Sequence, residues 1–149
     1  MREITLRDLV VNDLQRLNRW KFSVVQMESE LETLTAEYAS IKATNFDKMP
    51  SGSGGNPQEE KLITAIAKKD ELTAKLEFTR KKVADLERLL DQLTDDERII
   101  VERMVINQER RAADNLADEL GYEPRQIFNK RTAALAHLCQ LRYGAAYQP

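Results

Sequence analysis

The 149-residue chain is short of the residues that break helices and of those that staple small folds. It has five glycines, four prolines and one cysteine, and aromatic residues make up 6% of it. So few turn formers, set against an abundance of Leu, Ala, Glu, Lys and Arg, count against a fold of many short strands and favour long helices. Cys139 by itself makes no internal disulfide and no four-ligand zinc site, and is expected as a small packing residue. The single histidine, His137, has no accompanying ligand cluster, so a helix-surface or interface role is expected and no enzyme, metal or cofactor. No apolar run approaches the roughly 18 residues of a membrane span, and the first residues lack a signal-peptide pattern. A cytoplasmic protein without a membrane partner is expected. The formal net charge of −2 excludes nothing, because a partner meets local charge and not the sum.

What is present is heptad pattern. Thr5 can cap a helix that opens Leu6-Arg7-Asp8 and puts Asp8 at the positive end of its dipole. From there one seam set holds Val10, Leu17, Val24, Leu31 and Tyr38, and the other Leu6, Trp20, Met27, Leu34 and Ile41, with Asp13 as its fault. Residues 1–42 therefore read as a heptad helix with a coiled-coil seam. Residues 43–58 break the pattern: Met49-Pro50-Ser51-Gly52-Ser53-Gly54-Gly55-Asn56-Pro57 has no face to bury and reads as a flexible linker. No Gly-Lys-Ser/Thr follows and no strand precedes, so phosphate binding there is not expected. Residues 59–93 carry a second heptad, with Leu62, Lys69, Leu76, Val83 and Leu90 in one set and Ala65, Leu72, Thr79, Leu86 and Leu93 in the other. Ile66 and Phe78 add apolar surface beside it. These two helices can fold back on each other or pair with a second chain. A homo-oligomer, most simply a dimer, is expected because two helices alone offer little core.

Residues 94–149 are organised differently. Thr94-Asp95-Asp96-Glu97 is a capping box that starts a new helix, with Ile100, Val101, Met104 and Val105 inward. Asn107-Gln108-Glu109 connects it to a short helix, roughly Arg111 to Leu120, that buries Ala113, Leu116, Ala117 and Leu120. Gly121 then supplies the left-handed backbone that ends a helix sharply, and Pro124 suits the first turn of the next. Ala117 keeps the surface low where that last helix crosses, and Ile127 closes a small core under the turn with Leu116 and Leu120. The last helix runs to about Tyr143, with Ala134, Leu135, Leu138 and Leu141 inward. The expected fold is all-α: a long coiled-coil arm of two helices, then a three-helix helix-turn-helix unit. A pair of this kind commonly places its second helix in the DNA major groove.

Leu93-Thr94-Asp95-Asp96-Glu97-Arg98, the turn around Gly121, and Ala134-Leu135 resemble region 4 of bacterial sigma factors. With the helical arm and the glycine-rich linker upstream, the layout is similar to the phage and prophage transcriptional regulators called ArpU/RinA-like. The resemblance implies a sequence-specific DNA-binding regulator of phage genes in a bacterial host cell, with double-stranded DNA and RNA polymerase as partners. In sigma region 4, Arg125 and Asn129 fall where base-reading residues lie.

Charge agrees with a DNA face. From Thr94 to Leu120 there are eight acidic and four basic residues; beyond Gly121 there is one acid, Glu123, against Arg125, Lys130, Arg131 and Arg142. A local positive stripe is what phosphate attraction requires. Arg125 can pair with guanine and Gln126 or Asn129 with adenine, while Phe128 can press on a thymine methyl or pack against the arm. Lys130, Arg131, Arg110 and Arg111 suit phosphates, which position a protein without reading sequence. Glu123 is a poor cap for the recognition helix, and Lys130 stands where this motif is normally apolar, its stem along the core. Two other readings fit the residues. One is a protein-interaction module that contacts polymerase or a sigma factor without touching DNA. The other is a DNA-packaging recognition protein of the small-terminase type.

Overall fold

A computed structural model describes residues 2–47 and 57–149; residues 48–56, most of the linker, lie outside the described residues. Every element among the described residues is helical, so the fold is all-α. The order is α1 (Leu6–Asp47), α2 (Pro57–Asp91), α3 (Asp95–Val101) continued by a π-helical turn (Glu102–Ile106), α4 (Ala112–Leu120) and α5 (Pro124–Tyr143), closed by a 3₁₀ turn (Gly144–Ala146). Thr5 caps α1, its Oγ1 accepting from the Asp8 amide at 3.2 Å while Asp8 Oδ2 accepts from the Thr5 amide at 3.0 Å. Both long helices reach into the stretch assigned to the linker. Ala43 to Asp47 lacks glycine and proline, so the heptad stops there but the helix does not. Pro57 opens α2, where a missing N–H leaves no bond unmade, and Glu59 and Glu60 complement the dipole.

The chain divides into two compact units, Met1–Trp20 with Lys82–Pro149, and Lys21–Lys81. In the first, the start of α1 and the end of α2 wall one side of the three short helices. Val10, Leu14 and Leu17 join Leu86, Leu90 and Leu93 against Val101, Val105, Ile106, Ala134, Leu135, Leu138 and Cys139. Leu14 is 1% exposed although the heptad assigned the inward place to Asp13. Here α1 packs against several helices at once, so its buried face is wider than a two-stranded seam and takes in Leu14 beside Val10 and Leu17. Burying Leu14 stabilises the unit by roughly 1.5–3 kcal/mol. Asp13 turns instead to Arg142 of α5, at 2.7 Å.

The second unit is the antiparallel pairing of α1 and α2 over Lys21–Lys81. Arg80 meets Glu28, and Lys69 Nζ lies 5.5 Å from the centre of the Tyr38 ring. The sequence left open whether these helices pair within one chain; here they do. Lys69, a fault in the heptad, finds an aromatic face for its charge. Only Ala65 and Leu76 are fully buried among the described residues of this unit, while Val24, Met27, Leu31 and Leu34 are half-buried. Two helices cover one face of each other and no more.

Candidate nucleic-acid interface

The three short helices are set by local signals. Thr94 Oγ1 accepts from the Glu97 amide and Glu97 Oε1 from the Thr94 amide, both at 3.3 Å, so α3 starts on the expected capping box. The helix then widens: Asn107 N–H donates to the Glu102 carbonyl, five residues back, at 2.9 Å. One extra residue in the turn brings Ile106 onto the buried face beside Val101 and Val105. Sequence periodicity gave no sign of this turn. Asn107 is then held by Asn18 of α1, whose Nδ2 donates to its Oδ1 at 2.8 Å. The connection needs left-handed backbone at Gln108 and Arg111, so α4 begins at Ala112.

Gly121 ends α4 with φ +76°, and the amides of Gly121 and Tyr122 both donate to the Ala117 carbonyl at 3.0 Å. Ile100, Ala112, Leu116, Ala117 and Ile127 form the core beneath the turn. Ala112 takes the buried place expected of Ala113, and Ala113 and Leu120 are half-buried. Pro124 stands in the first turn of α5, and Gln126 Oε1 reaches back to accept from the Glu123 amide at 2.9 Å. α5 packs against both α3 and α4.

α5 buries Ile127, Ala134, Leu135, Leu138 and Cys139. The opposite face carries Arg125, Phe128, Asn129, Thr132 and Ala133, all exposed, at the i, i+3, i+4, i+7, i+8 positions of one helix stripe. Arg125 and Asn129 make no side-chain hydrogen bond or ion pair with the described residues. Phe128 is 49% exposed and belongs to neither core cluster. Three of the expected base-reading residues are thus brought together. The fourth, Gln126, is committed to the helix cap. Thr132 and Ala133 were missed, although the helical period from Arg125 points to both.

The cations sort into two groups. Arg98 bridges Glu102 at 2.9 Å and Asp91, and Arg103 bridges Glu109 at 2.8 Å and Glu119. Hydrogen bonds to those carboxylates, Glu102 first for Arg98 and Glu109 first for Arg103, raise both guanidinium pKa values further. Arg142 is held by Asp13. These three serve the fold. Arg110 is exposed without an acidic partner among the described residues, and Arg111 has only Asp114 at 3.8 Å. Both lie at the start of α4 and not on the α5 stripe. Arg131 is half-buried, with its Nε enclosed and lacking a hydrogen-bond partner, a desolvation nothing in the described chain offsets. Lys130 Nζ sits 4.5 Å from the centre of the Tyr122 ring, and Tyr122 in turn donates to Asp96 Oδ2 at 3.0 Å. That aromatic shelf is why a lysine fits where the motif is normally apolar.

His137 lies on the α5 surface with Nδ1 3.4 Å from Glu97. Cys139 is in the core, where burial pushes its thiol pKa up and disfavours the reactive thiolate. Among the described residues there is no group of three His, Cys, Asp or Glu side chains placed to hold a metal, and no helix is long and apolar enough to cross a membrane. No family model, curated protein or solved structure matches the chain.

Proposed function

We propose that this chain is a sequence-specific DNA-binding transcriptional regulator of phage or prophage genes, which enters the major groove with α5. The observation that carries the reading is the α5 stripe itself. Arg125, Phe128 and Asn129 stand exposed and uncommitted on the helix that follows a glycine-terminated turn. Base-edge recognition requires donor and acceptor groups that the protein does not already use. The split among the cations supports it as well: Arg110, Arg111 and Lys130 are not drawn into the carboxylate pairs that hold Arg98, Arg103 and Arg142, and remain for phosphates. The phage assignment rests on the resemblance to ArpU/RinA-like regulators, and polymerase as a second partner rests on the same ground.

The test is selection of duplexes from a random library at moderate salt, with the parent and the Arg125→Ala/Asn129→Ala double variant run side by side. The parent is expected to recover a motif that the variant loses. Arg125→Ala alone is expected to cost about 1–3 kcal/mol in binding and to relax one base position. A folded parent that enriches no sequence would overturn the DNA reading and turn attention to a protein partner, which the acid-rich α3 and α4 would suit.

A further inference from the structure

Phe128 is the anomaly of the α5 stripe. It is a large apolar side chain, 49% exposed, flanked on the same face by Arg125 and Asn129 and followed by Thr132 and Ala133. Leaving a phenyl ring half in water is unfavourable unless something covers it, and it is part of neither core cluster. Its neighbours say what kind of surface covers it. A cation one turn before and an amide immediately after match a polyanion that carries hydrogen-bonding edges, and the major groove has one apolar feature, the 5-methyl group of thymine. Phe128 lies about 4.5 Å along the helix axis from Arg125, enough for the two side chains to reach different base pairs.

We infer that Phe128 makes α5 a reader of pyrimidine 5-methyl groups, at a base pair next to the one that Arg125 contacts. The inference rests on the DNA reading proposed above. A phenyl ring has no donor or acceptor, so it does not distinguish the O4 of thymine from the exocyclic amine of cytosine. It senses the methyl and nothing else. At that position thymine and 5-methylcytosine are therefore both favoured, and deoxyuridine and unmodified cytosine are both disfavoured.

The probe is the duplex that the parent protein selects, remade with each thymine replaced in turn by deoxyuridine. One position is expected to bind about fourfold more weakly, the factor set by losing one buried methyl. At that position 5-methylcytosine opposite guanine should bind better than unmodified cytosine by a similar factor. Phe128→Ala should abolish both differences, while Phe128→Leu, still apolar, should retain part of them. Phe128 is exposed, so neither substitution should move the thermal midpoint, which is measured alongside. A deoxyuridine scan that is flat at every position, on a duplex bound specifically, would overturn the inference and leave the DNA reading standing. So would a methyl effect that survives in Phe128→Ala. A parent that selects no duplex removes both together, and Phe128 then belongs to a protein contact.

Discussion

Single residues decide where the short helices turn. At Gly121 the backbone lies at φ +76°, and a Cβ built there meets nothing within 4 Å. Any cost of substitution is therefore conformational and not steric. Gly121→Ala is expected to destabilise the first unit by about 1 kcal/mol, and Gly121→Asn by less, since asparagine tolerates left-handed backbone. Chemical denaturation measures both; an alanine as stable as the parent would mean that the turn relaxes to another geometry. Arg111 shows the converse, a non-glycine held at φ +57° with Asp114 nearby. At this scale the sequence was legible wherever one residue type has one use. Gly121, Pro124 and Thr94 were readable because turn, first-turn and capping geometry each tolerate few alternatives. Lys130 on Tyr122 and the paired carboxylates of Arg103 were not, because they join elements whose approach no local pattern encodes.

At the scale of elements, α1 depends on the Thr5–Asp8 cap for its first turn. Hydrogen bonds from Thr5, the backbone one first, hold the Asp8 carboxyl below its usual value of 3.8. A carboxylate depressed in the folded state favours folding above its unfolded value, and that contribution is lost as pH falls through the lowered one. The Thr5 amide proton should therefore titrate with a midpoint below 3.8, followed by NMR; a midpoint at or above that value would mean the cap is not formed in solution. Element type and order could be read from heptads and caps, but two features could not. The π turn after α3 adds a residue that leaves no compositional trace, and the role of Leu14 was hidden by a heptad that fits one partner helix. Where α1 meets several helices at once, its buried face is wider than the seam of a two-stranded coil.

For the molecule as a whole, the formal charge of −2 conceals a division between cations that hold the fold and cations that remain available. If Arg110, Arg111, Lys130 and Arg131 meet phosphates, the logarithm of affinity falls linearly with the logarithm of salt. Arg110→Ala should lower that slope by about 0.9, with the selected motif unchanged. Salt titrations of binding check it, and an unaltered slope would remove Arg110 from the interface. The half-buried seam of the second unit, with Val24, Leu31 and Leu34, leaves apolar surface that a second copy would cover. A dimer would show in the selected DNA as half-sites spaced by about 10–10.5 base pairs or a multiple. The walls of the first unit have a consequence for synthesis. Val10, Leu14 and Leu17 leave the ribosome long before Leu135 and Leu138, by on the order of ten seconds at about 5–20 residues per second. The two helices of the second unit come from one contiguous span, Lys21–Lys81, and can pair while the chain is still being made. α5 is completed after α1 to α4, so on the DNA reading proposed above a product broken off before α5 would keep its heptads and lack the proposed recognition helix.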